Sequence, residues 1–215
     1  MKKTLYLKFL LAYVIFGIFG FIIISVFVPK LTVEQLTREK ANTLYSEATL
    51  IADRYGSGLY TSDTSLESVK NQLDALSVYL DSDIWIINPS GRMVLTTEYP
   101  LNVDEVVIIE NFDPTLTANS YYNVSNFFNY YDEAMLNVIA PITTNYKVNG
   151  YVVIHASMAS VYESSNSLLT ISYITMCILF FLSMIILIFF TEIVYKPLRK
   201  ITYATEQYAS GNMHY

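Results

Sequence analysis

Two uncharged apolar runs constrain this chain more than anything else in it: Phe9 to Val28, 20 residues, and Leu168 to Thr191, 24 residues. At about 1.5 Å per residue, either run crosses a hydrocarbon core of about 30 Å as a helix. Both are rich in Phe, Ile and Leu, which insert favourably. A soluble core helix rarely stays apolar on every face for so long. The first run follows Lys2, Lys3 and Lys8, as a secretory leader would. It is longer than a leader core, however, and ends Ser25-Val26-Phe27-Val28-Pro29 without a small-x-small cleavage site, so it reads as an uncleaved anchor.

Flanking cations set the orientation. Lys2, Lys3 and Lys8 precede the first run, and Lys196, Arg199 and Lys200 follow the second, which places both ends in the cytoplasm. Residues 30 to 166 carry 17 Asp and Glu against 7 Lys and Arg. That acidic balance excludes a nucleic-acid surface. The single cysteine, Cys177, lies in the second run, so the segment between the runs has no disulfide and must hold itself together by packing. About 135 residues suffice for one such core. The partition expected is a cytoplasmic end (1–8), a span (9–28), an extracytoplasmic domain (29–167), a second span (168–191) and a cytoplasmic segment (192–215). Asn123-Val124-Ser125 matches a glycosylation sequon, a triplet common by chance.

Beyond Pro29 and Lys30, Thr32 and Gln35 have capping-box spacing. Val33, Leu36, Leu44, Ala48, Ile51 and Tyr55 then recur at helical spacing, predicting an amphipathic helix over 32–55 that continues the first span outwards and is ended by Gly56 and Gly58. Thr64 and Glu67 predict a second helix carrying Val69, Leu73, Leu76 and Leu80. The period then changes. Asp83 to Asn88 and Met93 to Thr97 read as strands joined through Pro89-Ser90-Gly91-Arg92, and Ile84 to Ile87 is apolar on both faces, as in a strand covered on both sides. Asn102 is placed to cap a short helix from Val103 to Ile109, and residues 113–122 read as a loop. Three more strands are expected at Ser125–Tyr131, Ala134–Ile142 and Tyr151–Ser157, with turns at Asp132-Glu133 and Asn149-Gly150. The fold class is therefore an α+β membrane protein with one five-stranded antiparallel sheet and helices packed on a face. A helical return over 158–167 leads into the second span.

After that span, Leu198, Ile201, Thr205 and Tyr208 are spaced as a coiled-coil seam, Pro197 suits a first helical turn and Gly211 a helix end. The stretch Tyr195-Lys196-Pro197-Leu198-Arg199-Lys200-Ile201-Thr202, with Glu206 and the closing Ala209-Ser210-Gly211-Asn212-Met213, resembles the first helix of a HAMP domain. HAMP is the four-helix linker after the last span of bacterial sensor histidine kinases and chemoreceptors. The domain between the spans is similar in layout to the PAS-like Cache or PDC sensor domains of those receptors. The similarity rests on the long membrane-proximal helix, the Ile84–Asn88 strand with its Pro-Ser-Gly-Arg turn, and the Ala140-Pro141-Ile142 and Gly150-Tyr151-Val152-Val153-Ile154 ending. The resemblance implies the input half of a two-component sensor histidine kinase, with HAMP residues Pro197, Leu198, Ile201, Thr205, Glu206 and Tyr208 in signalling. It also implies a homodimer, a small extracytoplasmic ligand, membrane lipid around the spans, and a response regulator reached through a kinase part. His155 and His214 are the only histidines and neither has a phosphoacceptor context, so kinase chemistry and the second HAMP helix are expected outside this chain. A chemoreceptor shares the same layout. A membrane-anchored scaffold would leave the HAMP-like segment unexplained.

Candidate ligand contacts are few. His155 and Asn137 interrupt apolar strands, His155 on a face with Tyr151 and Val153, Asn137 with Met135 and Ile139. A few polar groups in an apolar pocket orient a ligand, and a hydrogen-bonded structural pair is the plainer reading. Arg92 and Lys147 are scarce outer cations that a carboxylate would want. Tyr121 and Tyr122 open an aromatic stretch through Phe127, Phe128, Tyr130 and Tyr131, for which core packing is the better reading. Asp104, Glu105, Glu110 and Asp113 match no calcium loop and read as a solvated acidic face. No nucleophile–base constellation, metal spacing or phosphate loop is visible, so no catalytic residue, metal or cofactor is assigned.

Overall fold

The computed structural model describes residues 3–56, 58, 65–98, 107–117 and 121–211. The chain forms two compact units, Leu31–Ser165 on the one hand and Met1–Lys30 with Asn166–Tyr215 on the other.

Helix α1 runs Lys3–Ile51 and passes through Pro29 without a break. The helix expected over 32–55 therefore continues the first apolar run outwards, as expected, and Thr32 caps no helix start, since the backbone is already helical when it reaches that residue. Proline removes one backbone donor, a loss that a helix of 49 residues tolerates at a single turn. A π-helical segment, Ala52–Gly56, closes the element near the predicted glycines. Helix α2 (Leu66–Leu80) is capped by Ser65, whose side chain accepts from the Ser68 amide; Thr64 lies outside the described residues. It ends on Asp81 in the left-handed region, φ 50°.

Strands β1 (Asp83–Ile87), β2 (Met93–Thr96), β3 (Tyr122–Ser125), β4 (Met135–Thr144) and β5 (Lys147–Ser157) form one antiparallel sheet in the order β2-β1-β5-β4-β3. The chain is thus α+β with five antiparallel strands, as expected. Alternation sends Ile84, Ile86, Leu136, Val138, Val152 and Ile154 to one face, where Leu44, Ala48 and Ile51 of α1 and Val69 and Leu73 of α2 cover them. Trp85, Ile87, Ile139 and Val153 point to the other face, packed with Ile109 and Phe127. So β1 is covered on both sides, as its sequence predicted.

Three local expectations fail, each for a visible reason. The strand predicted over Ser125–Tyr131 ends at Ser125, because Phe127, Phe128 and Asn129 take φ of 41°, 55° and 61°. The Tyr130 amide then donates back to Phe127 O (3.1 Å) and that of Tyr131 to Asn126 O (3.1 Å). The turn predicted at Asn149-Gly150 lies at Asn145-Tyr146 instead, both left-handed (φ 52° and 63°), as a two-residue hairpin of primed type requires. Gly150 pairs with Ile142 and Val148 with Thr143, so Asn149 is the extra residue of a bulge inside β5. Of the helix expected over Val103–Ile109, residues 102–106 lie outside the described set, and Val107 to Ile109 is extended. Its backbone pairs with the β1–β2 turn: Met93 N donates to Val107 O and Ile109 N to Gly91 O, both at 2.9 Å. Gly91 (φ 82°) permits this, since a Cβ there would sit 2.8 Å from Ile109 O.

In the other unit, α1 and helix α3 (Ala159–Phe190) are each long and apolar enough to cross a membrane. Their side chains are largely exposed, Phe16 at 74% and Phe189 at 61% among them. The two helices approach closely at Gly17, where any Cβ would overlap the Phe180 ring, and Tyr13 stacks on that ring at 4.7 Å. A second π-helical segment, Thr191–Tyr195, leads into helix α4 (Lys196–Ala209), which has Pro197 in its first turn.

Candidate functional site

The register of the sheet builds a row that no single strand reveals. Asn123 of β3 faces Asn137 of β4, Asn137 faces His155 of β5, and His155 faces Asp83 of β1. Four polar residues therefore cross four neighbouring strands in line, within a sheet whose core positions are otherwise apolar. Asn137 and His155 are both fully buried.

The hydrogen bonds fix the state of the pair. The Asn137 amide nitrogen has four acceptors around it, Asn123 Oδ1 and Ser125 O at 3.0 Å and Ser125 Oγ and Met135 O at 3.1 Å. Its Oδ1 is thus turned to His155 Nδ1, at 2.7 Å. An amide oxygen only accepts, so Nδ1 carries the proton. Burial lowers the His155 pKa from 6.5 to about 3, which keeps the ring neutral and leaves Nε2 as a bare acceptor. An amide partner cannot take a proton from the ring, so the contact orients the imidazole and builds no acid–base relay.

An aromatic shell encloses the ring. Trp85 lies 4.3 Å from it between centroids, Phe127 4.4 Å and Tyr131 5.2 Å. Tyr130 packs edge-on against Trp85 at 4.6 Å, and Phe112 and Tyr151 extend the cluster. The left-handed residues Phe127–Asn129 bring Phe127 over the histidine, and Asn126 Nδ2 to Asn129 Oδ1 (2.8 Å) ties that turn. Two buried polar atoms inside the shell, His155 Nε2 and Trp85 Nε1, have no hydrogen-bond partner among the described residues. One accepts and the other donates. Each costs about 1–3 kcal/mol if left unsatisfied. At the end of the row Asp83 is half-buried, and desolvation, helped by Asp81, raises its carboxyl pKa.

The residues proposed from sequence divide. His155 and Asn137 are brought together, and Val153, Tyr151 and Ile139 share the cluster beside them as alternation predicted. Tyr121 and Tyr122 pack instead with the helix-side core, Tyr121 against Tyr45 at 5.2 Å with its hydroxyl donating to Asn42. Arg92 is exposed beyond the β1–β2 turn and Lys147 beside the β4–β5 hairpin, so neither joins the row. Asp113 accepts from the amide and hydroxyl of Thr115 (2.8 and 2.7 Å), which lowers its pKa and starts a short 3-10 turn. Asp104 and Glu105 lie outside the described residues. Sequence reasoning missed Asn123, Asp83 and Trp85 as members of the site.

No protein-family model and no curated protein matches the chain. Solved structures to which the chain shows a distant similarity include the sensor domain of the V. cholerae histidine kinase DctB, at 14% identity and a TM-score of 0.44 over 63% of this chain and 57% of that one. Another is the extracellular domain of the putative histidine kinase vpHK1S-Z8, at 15% identity and 0.43 over 66% and 60%. A third is the ligand-binding domain of the Campylobacter jejuni chemoreceptor Tlp3, in complex with 4-methylisoleucine, at 10% identity and 0.40 over 63% and 62%. This chain covers less than two thirds of each. Likenesses this distant carry no weight for what the chain binds.

Proposed function

We propose that the chain is the input half of a membrane receptor of the sensor histidine kinase type. Residues 29–167 lie outside the cytoplasm in this reading, and the apolar runs of α1 and α3 cross the bilayer. The outer-face cluster around His155 receives a small ligand. The observation that carries it is the pair of unsatisfied buried atoms, His155 Nε2 and Trp85 Nε1, within one aromatic shell. A ligand offering a donor to the first and an acceptor to the second would satisfy both, and a neutral group suits a site whose histidine is neutral. Entry requires the Phe127–Asn129 turn to move, and relief of its positive-φ backbone would offset part of the cost of unpacking the buried Phe127 ring.

The HAMP reading of α4 is supported by Leu198, Ile201, Thr205 and Tyr208, all exposed along one seam of the isolated chain. A second copy would cover them, with Pro197 opening the helix and Glu206 one residue beyond the seam. Signal would pass through differential affinity of the ligand for two states of the domain. The kinase part and its response regulator lie beyond this chain in the proposal.

Trp85 is the only tryptophan, so its fluorescence reports on the shell alone. Titrating the full chain in detergent with small alcohols, amides and amino acids should shift the emission for a cognate ligand. His155→Phe should weaken that response at least tenfold, about 1.4 kcal/mol, whereas Arg92→Ala should not. A ligand that binds His155→Phe as tightly as the wild type would rule out the site.

A further inference from the structure

A second site lies on the helical side of the domain, away from the His155 shell. α1 and the first turns of α3, with the end of α2, enclose a groove of about 480 Å3. Its floor is apolar, formed by Leu44 and Val161, both almost fully buried, with Leu36 and Leu80 beside them. Its polar groups come mainly from two facing helices, Glu39, Lys40 and Thr43 on α1 and Ser160 and Ser164 on α3.

Lys40 is the informative member. Its ammonium is half-buried and donates to Ser160 Oγ at 2.8 Å, and no carboxylate forms an ion pair with it among the described residues. By contrast Lys70, the other sequestered lysine of this unit, has Asp74 at 2.8 Å and Thr96 O at 2.8 Å. In a segment where acidic residues outnumber basic ones 17 to 7, a sheltered lysine with only a hydroxyl for company is the exception. An ammonium has three donors and Ser160 takes one. Glu39 also lines the groove, but neighbouring residues on a helix do not face each other, and its side chain is exposed.

We infer that this groove binds a small monocarboxylate with an apolar body. The carboxylate would accept from Lys40 Nζ and the Ser160 and Ser164 hydroxyls, and the hydrocarbon would lie on Leu44 and Val161. A charged hydrogen bond in a half-buried place discriminates strongly against a neutral analogue of the same length. The occupant would join α1 to α3, the two helices that carry the apolar runs.

The test uses the full chain in nanodiscs of phosphatidylcholine, with octanoate as probe and octanol as its neutral match. Octanoate should raise the melting temperature, and octanol at equal concentration should not. Lys40→Met should abolish the octanoate shift while keeping the unliganded melting temperature, Lys40→Arg should retain it, and Ser160→Ala should weaken binding severalfold. Trp85 emission should stay constant throughout, which separates this site from the His155 shell. Equal shifts from octanol and octanoate, an unchanged shift in Lys40→Met, or a shift produced by anionic phospholipid and not by octanoate would each overturn the assignment.

Discussion

At the scale of single residues, His155 is where structure and chemistry are most tightly joined. Its folded pKa of about 3 lies below the ordinary 6.5, so the unfolded chain takes up a proton first as pH falls. The stability that the neutral ring contributes is complete above pH 6.5 and is lost progressively between there and about pH 3, by about 1.4 kcal/mol per pH unit. Asp83 acts in the opposite sense, since its raised pKa makes acidification relieve a penalty. Denaturant melts of wild type and His155→Gln from pH 7.5 to 5 should therefore converge as pH falls. A wild-type advantage that stays constant with pH would show that the ring is not held neutral by burial. Both members of the pair were legible in the sequence, because a polar residue inside an apolar strand declares itself through alternation. Asn123 and Asp83 were not, since their place in the row depends on register across four strands, and register is a property of pairing rather than of any one segment.

Among the elements, the helix-side core was readable and the turns were not. Leu44, Ala48, Ile51, Val69 and Leu73 are buried where the 3.6-residue period put them. The Asn149-Gly150 pair is a strong hairpin signal, yet the chain turns at Asn145-Tyr146 and spends Asn149 on a bulge. The aromatic run Phe127–Tyr131 has high strand propensity, but covering the outer face requires the chain to fold back, and tertiary packing overrides local preference. Tyr146 is fully exposed at φ 63°, a conformation that glycine adopts without steric cost. Tyr146→Gly should thus stabilise the domain by up to about 1 kcal/mol, read as a higher urea midpoint at unchanged slope. A lower midpoint would mean that the exposed ring contributes packing that the structure does not show.

For the whole molecule, the proposed receptor requires α4 to meet a second copy of itself. Cysteines placed singly at Leu198, Ile201, Thr205 and Tyr208, in a Cys177→Ser background, should crosslink between copies in membranes. Positions off the seam, such as Arg199, should crosslink at least severalfold less. Equal crosslinking at seam and off-seam positions would sink the seam. The π-helical segment Thr191–Tyr195 just before it bears on the same question of facing. There the Lys196 amide reaches back five residues to Thr191 O, so one turn carries a residue more than an α-helix would. Counted as angular phase, that surplus residue is taken up locally, and the seam keeps its heading. Deleting one residue within 191–195 should restore a plain α-helix and leave the crosslinking pattern in place. Deleting one within the regular helix below, between Tyr195 and Leu198, should turn the seam by about 100° and move the pattern to neighbouring positions. The segment is in that sense a vernier, a place where the length of the chain changes without changing the direction in which it points.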